Sequence, residues 1–165
     1  MQRPLLEVKN LNLEFKVFSG FLKVLNDINF TVMPKEKVGL VGETGCGKTT
    51  TMKAIMRILG MTSARITRGE ILFKGRDILK MNEAKIQEIR RKEISMVFQD
   101  PTAALNPVFT IGSQFRNIIK YSMLSKENLT KKEMEARAIE ILEKVMLPDP
   151  KRILKSYPIQ LSGGM

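Results

Sequence analysis

Eight residues constrain this chain more than any others. Gly42-Glu43-Thr44-Gly45-Cys46-Gly47-Lys48-Thr49 follows the apolar run Val38-Gly39-Leu40-Val41 and leads into Met52, Ile55, Met56 and Leu59 at helical spacing. The pattern G-x-x-x-x-G-K-[ST] between a buried strand and a helix is that of a loop that wraps phosphates. Its glycines let the backbone curl, so that successive N–H groups face one concavity. The helix behind it adds unpaired N-terminal donors and the positive end of its dipole. Lys48 supplies a point charge for β- and γ-phosphates, the Thr49 hydroxyl a ligand for Mg²⁺, and Thr50 a contact to an α-phosphate. Charge-assisted hydrogen bonds contribute about 1.5–3 kcal/mol each, so five or six suffice for micromolar affinity after entropic costs. ATP with Mg²⁺ is the expected ligand. Cys46 is the sole cysteine and the chain has no histidine, so the small size of Cys46 is reason enough for its place in the loop.

The surroundings read as strands first and helices later. Leu11, Leu13, Phe15 and Val17 alternate with polar residues, Leu6 and Val8 extend the pattern one register earlier, and Ile28, Phe30 and Val32 repeat it beyond a turn at Ser19-Gly20. Val38-Gly39-Leu40-Val41 and Ile94-Ser95-Met96-Val97-Phe98 are continuously apolar, as strands buried on both faces should be. Glu70-Ile71-Leu72-Phe73 is a further strand, closed by Gly75. A helix is expected from near Lys48 to Gly60, another from an Asn82 cap through Lys92, and a third from Ile111 to Leu124 with Phe115, Ile118, Ile119 and Met123 on one face. Thr130-Lys131-Lys132-Glu133 has capping-box spacing, followed by a stripe of Met134, Ala138, Ile141, Leu142 and Val145. Asp149-Pro150 reads as an N-cap and first turn of a short helix ending before Pro158. This order implies an α/β core with an N-terminal antiparallel region and a helical insertion.

At 165 residues and 43% hydrophobic, the chain suffices for one domain with a core. No apolar run approaches the roughly 18 residues that span a bilayer, and the N-terminus lacks the apolar stretch of a secretory signal. A single cysteine forbids an internal disulfide and fits a reducing, cytoplasmic setting. The net charge of +11 admits nucleic acid, an acidic membrane face or an acidic partner. It equally fits solvated helix faces, since the basic residues are spread out and cluster only at Arg90-Arg91-Lys92 and Lys131-Lys132.

Two more segments bear on a phosphate site. Gln99, after the apolar run ending at Phe98, is positioned to touch Mg²⁺ or an attacking water, because ligands of open α/β sheets lie at strand carboxyl ends; the alternative is a plain turn residue. Leu161-Ser162-Gly163-Gly164-Met165 is either a second anion nest, with Ser162 and bare backbone as donors, or an ordinary loop.

Taken together, in this order and spacing, the three segments resemble the nucleotide-binding subunits of ABC transporters. The first matches the Walker A motif, Gln99 the Q-loop, and Leu161-Ser162-Gly163-Gly164 the signature motif, with Met165 where many members have Gln. Leu6-Glu7-Val8-Lys9-Asn10-Leu11 looks like the family's opening strand. Phe98-Gln99-Asp100-Pro101-Thr102-Ala103-Ala104-Leu105-Asn106-Pro107, Ser-Gly-Gly-Met and the Tyr157-Pro158 pair are similar to the oligopeptide/dipeptide/nickel importer subfamily.

The resemblance implies an ABC-type P-loop NTPase core in residues of about 1–104 and a helical subdomain in about 105–160. It implies an ATPase subunit on the cytoplasmic face of the membrane, working with transmembrane permease subunits, a second nucleotide-binding subunit and, indirectly, a substrate-binding protein. Phe15 falls where the family stacks an aromatic on adenine, with Phe18 and Phe21 as fallbacks and a core role as the alternative. Ser162, Gly163 and Gly164 would contact the γ-phosphate bound by the partner subunit, and Gln99 would act catalytically and on Mg²⁺. The family's Walker B Asp, catalytic Glu, D-loop and switch His have no counterpart here. The chain therefore reads as an incomplete, N-terminal portion that binds nucleotide without turning it over and self-associates through exposed strand edges. ABC-type ATPases acting on nucleic acid or ribosomes, and a non-catalytic nucleotide-binding module, are the alternatives. The 100–107 segment favours the importer type, so no nucleic-acid partner is expected.

Overall fold

The computed structural model describes residues 3–60, 63–100, 102–121 and 129–165. The chain divides into two compact units, Met1–Arg90 and Arg91–Met165.

The first unit is built on an antiparallel sheet in the order β2-β1-β3-β4, with β1 at Leu6–Val17, β2 at Gly20–Val32, β3 at Ala64–Phe73 and β4 at Arg76–Asp77. The sequence explains an irregularity in β1. Its inward residues change from even positions, with Val8 buried, to odd positions, with Leu11 and Leu13 buried. A period of two permits this only if one residue is inserted. The ladders contain that insertion: Val8↔Phe30 is followed by Leu11↔Ile28 on one side, and Lys9↔Glu70 by Asn12↔Arg68 on the other. Asn10, in the bulge, has φ 47, and its N–H donates to Asn29 Oδ1 at 2.8 Å. Asn12 is buried but satisfied, its Nδ2 donating to the Asn10 carbonyl at 2.8 Å and its Oδ1 accepting from the Asp27 N–H at 3.3 Å. Gly69 of β3 fits against this bulge. At its φ of +110, a Cβ would lie 2.6 Å from both the Asn10 carbonyl oxygen and Leu11 Cα.

Helix α1 spans Lys48–Ile55 and buries Thr51, Ala54 and Ile55. It is shorter than its apolar spacing predicts; of the expected stripe Ile55 is buried, while Met52, Met56 and Leu59 are half-buried. Arg57, at φ 49, ends it. The Arg90 guanidinium of α2, Glu83–Lys92, caps its end, donating to the Met56 and Arg57 carbonyls at 2.8 and 2.6 Å. Asn82 Oδ1 accepts from the Lys85 N–H at 3.0 Å, as expected of the α2 cap.

Two expected strands are not formed. Residues 38–41 are irregular, with Val41 94% exposed, and residues 94–98 are likewise irregular, with Val97 88% exposed. A strand buried on both faces needs hydrogen-bonding neighbours along its edges. The described strands all belong to the one four-stranded sheet, and none pairs with either segment.

The second unit packs α3, Ile111–Tyr121, α4, Lys131–Lys144, and α5, Pro150–Lys155. Its core is Ile111, Ile119, Ala138, Leu142, Ile153 and Leu154. Thr130 forms the anticipated capping box with Glu133, and Asp149 Oδ1 accepts from the Arg152 N–H at 3.2 Å. Gly112 lets α3 meet α5 closely, since a Cβ there would lie 2.7 Å from the Leu154 carbonyl oxygen. Ile118 and Val145, expected on apolar faces, are exposed. Met123, Leu124 and Pro101 lie outside the described residues. Among the described residues no helix is long and apolar enough to cross a membrane.

Gly69→Ala is expected to destabilise the first unit by about 2–4 kcal/mol, since the added methyl meets backbone. Urea unfolding monitors it, and an unchanged midpoint would contradict the bulge packing. Thr130→Ala should cost the helical unit only about 1 kcal/mol. The two hydrogen bonds from Thr130, the side-chain one first, hold the Glu133 carboxyl below its ordinary value. Their contribution is therefore present above the ordinary carboxylate range and lost as pH falls through the lowered value. Acid titration of helicity should show that loss in the native chain and a smaller one in Thr130→Ala, which keeps only the backbone hydrogen bond to Glu133.

Candidate functional site

The loop of residues 42–47 curls through two left-handed glycines, Gly45 at φ +85 and Gly47 at φ +95. Gly47 is the N-cap of α1, and its conformation and packing require glycine: a Cβ would sit 2.6 Å from Leu25 Cδ2 and 3.3 Å from the Val24 carbonyl oxygen of β2. Gly42 is matched to Cys46, whose Sγ would lie 2.7 Å from a Cβ there. The Cys46 N–H donates to the Glu43 carbonyl at 3.3 Å, closing the turn, and the Thr51 N–H donates to the Gly47 carbonyl at 2.8 Å. Among the described residues the amides between them, at 47–50, have no acceptor.

Helix α1 differs from its neighbours in this respect. It has no side-chain cap and no acidic residue in its first turn, whereas the starts of α4 and α5 are capped by Thr130 and Asp149. Among the described residues the positive end of the α1 dipole thus has neither a side-chain cap nor a first-turn carboxylate, as an anion site requires. Lys48 reaches back over the loop, its Nζ donating to the Gly42 and Glu43 carbonyls at 2.8 and 2.6 Å and lying 3.5 Å from Cys46 Sγ. The ammonium is thereby held over the loop that precedes these amides. Glu43, Thr44 and Thr49 have exposed side chains, and Thr50 is half-buried. Consecutive free amides, an ammonium and the Thr49 hydroxyl fit a chain of phosphates with Mg²⁺. Among the described residues no cluster of three or more His, Cys, Asp or Glu could hold a metal ion. Mg²⁺ here would depend on hydroxyl and phosphate oxygens.

Sequence reasoning misses the loop's supports. Buried Thr51 donates its hydroxyl to the Gly47 carbonyl at 2.9 Å, fixing the end of the loop. Its spacing with Ala54 and Ile55 is the only signal of this, and threonine is easily passed over in an apolar count. The packing of Gly47 on β2 leaves no sequence trace.

Phe15 is half-buried within β1, opposite Leu22 of β2 and Ala64 of β3. Phe18 stands fully exposed at the β1–β2 turn, and the exposed Phe21 ring lies 6.0 Å from the Arg65 guanidinium carbon. In the second unit Gln99 is exposed, in irregular backbone and not at a strand end as expected. The segment after it is braced by Gln114, whose Nε2 donates to the Asn106 and Phe109 carbonyls at 3.0 Å each. Ser162, Gly163 and Gly164 form an exposed turn, closed by the Met165 N–H donating to the Ser162 carbonyl at 2.9 Å. Leu161 and Met165, on either side of it, pack on the helical core.

Residues 25–165 match the family described as ABC transporter. The chain belongs to the ABC transporter family. It is 40% identical over 162 residues to the oligopeptide transport ATP-binding protein OppD of Bacillus subtilis, covering 98% of this chain and 44% of that protein. It is 38% identical over 160 residues to the dipeptide transport ATP-binding protein DppD of the same organism, covering 97% of this chain and 47% of that one. The chain thus spans about half the length of these relatives. A solved dimeric ATP-binding cassette, in a post-hydrolysis state bound to ADP and Pi, shares its fold with a TM-score of 0.79 at 24% identity, over 96% of this chain and 64% of that one. The fold is that of part of an ABC cassette, an α/β P-loop NTPase fold with an antiparallel sheet and a helical region.

Gly47→Ala should weaken nucleotide binding by about tenfold or more, because its methyl meets β2 and its φ is strained. Gly163→Ala, with open space around it, should leave the fold intact. Fluorescence titration with a nucleotide analogue checks the first, and equal affinity for Gly47→Ala would contradict the geometry.

Proposed function

We propose that this chain is the nucleotide-binding portion of an ATPase subunit of a peptide importer, and that residues 42–50 bind ATP with Mg²⁺. One observation carries the reading: the acceptor-free amides of 47–50 lie at an uncapped helix start, beside an ammonium already held over the loop. On binding, Lys48 leaves the Gly42 and Glu43 carbonyls at least in part and turns toward β- and γ-phosphate oxygens. The Thr49 hydroxyl faces the magnesium, and the backbone of Gly42, Glu43, Thr44, Gly45, Cys46 and Gly47 encloses the phosphates. Phe15 stacks on adenine, Gln99 touches Mg²⁺ and orients water, and Ser162, Gly163 and Gly164 reach the nucleotide of a second, similar subunit. The anchoring of Leu161 and Met165 on the helical core supports that last role, since it presents the turn between them on a rigid base.

Peptide import is favoured by the relatives named for oligopeptide and dipeptide transport. It carries with it permease subunits, a substrate-binding protein and a position on the cytoplasmic face of the membrane. The helical subdomain begins between the boundary at Arg90/Arg91 and about residue 105. The 165 residues contain no histidine and nothing resembling the family's Walker B strand with its Asp and Glu. We infer that by themselves they bind ATP without hydrolysing it at a family-like rate.

Lys48→Ala should lower ATP affinity by about tenfold or more, measured by calorimetry with Mg²⁺ present, and unchanged affinity would refute the site. Thr49→Ala should reduce the benefit of Mg²⁺ while sparing metal-free binding. Steady-state phosphate release from this chain should stay at background; ordinary ATPase turnover would overturn that inference.

A further inference from the structure

We infer that the helical unit carries a second anion site, for a small phosphate ester, in the concavity between α3, the start of α4 and the end of α5. The cavity measures about 310 Å³ and takes in Thr110, Gly112, Arg116, Lys131, Glu135 and Lys155. Its floor is apolar and firm: Ala138 is 1% and Leu154 6% exposed. The backbones of α3 and α5 meet there through Gly112 and the Leu154 carbonyl, and the Ile111 N–H donates to the Ser156 carbonyl at 2.9 Å.

Three cations and one carboxylate share this concavity. Among the described residues none of the Arg116, Lys131, Lys155 or Glu135 side chains has a hydrogen-bonding or ionic partner. Two other carboxylates of the unit are engaged elsewhere: Glu140 with Arg137 and Lys144, and Asp149 with Arg152. Among the described residues, Glu135 alone offsets the positive charge lining the cavity. Arg116 is half-buried, so its planar fork of donors is partly withdrawn from water while unpaired, and a phosphate accepts from such a fork in two parallel bonds. The two lysines add point charges at the rim. The volume lies at the lower end of small-molecule sites, which suits a phosphate joined to a short organic body lying on the Ala138–Leu154 floor. A soluble ester and the headgroup of an anionic phospholipid share this chemistry.

The test uses the 165-residue chain carrying Lys48→Ala, so that the P-loop does not compete. Glycerol 3-phosphate is titrated while the backbone resonances of Thr110 and Gly112 are followed. Saturable shifts at those amides are expected, with about tenfold weaker binding in Arg116→Gln, weaker binding in Lys155→Gln, and tighter binding in Glu135→Gln. Co-sedimentation with phosphatidylglycerol vesicles, against phosphatidylcholine vesicles, separates the sources. Capture that is lost in Arg116→Gln assigns the site to a lipid headgroup; a response to the soluble ester alone assigns it to a free metabolite. Absence of saturable shifts together with absence of vesicle capture overturns the site. So does equal binding by the native cavity and the Arg116→Gln and Lys155→Gln variants. Lys155 is exposed, so its variant remains informative should Arg116→Gln fail to fold.

Discussion

The close seating of Gly47 on β2 is the contact from which the phosphate site follows. A helix must begin somewhere, and its first amides must find acceptors in side chains, water or a ligand. In α1 a side-chain cap is excluded, because the N-cap residue is a left-handed glycine lodged against Val24 and Leu25. The antiparallel sheet thus fixes where the donors lie, and the buried Thr51 hydroxyl ties the Gly47 carbonyl behind them. Lys48 lies over the loop because carbonyls of the same turn are its available acceptors. The loop is thereby organised around a positive centre before any phosphate arrives, which lowers the ordering cost of binding.

The same dependence explains the β1 bulge. The shift of buried positions between Val8 and Leu11 needs one extra residue, and that residue fits against β3 only because position 69 is glycine. Sheet and loop are alike in using glycine where two backbones meet too closely for a Cβ, first at Gly69 and then at Gly47. In the helical unit, Gly112 does the same for α3 and α5.

Local rules make much of this legible. The hairpin at Ser19-Gly20, the Thr130 capping box, the Asp149-Pro150 start and the glycine–lysine loop each depend on residues a few positions apart, and each is found where its pattern lies. The resemblance to ABC nucleotide-binding subunits rests on three short motifs and agrees with the match over residues 25–165. What escapes depends on distant partners. Residues 38–41 and 94–98 have the composition of buried strands, but composition cannot supply a ladder, and among the described strands they have none. Leu59 keeps the helical period beyond the point where Arg57 turns the chain, so α1 is shorter than its pattern. Ile118 and Val145 share the period of core residues yet are exposed. The supports of the loop, Val24, Leu25 and Thr51, come together only in three dimensions.

If the amides of 47–50 are held ready for phosphate oxygens, nucleotide must shield them. Residue-resolved hydrogen exchange of the chain, with and without ATP and Mg²⁺, tests this most directly. Gly47, Lys48, Thr49 and Thr50 are expected to become strongly protected on adding nucleotide, while amides of the β1–β2 turn are not. Nucleotide that binds while leaving those four amides exchanging as fast as before would contradict it.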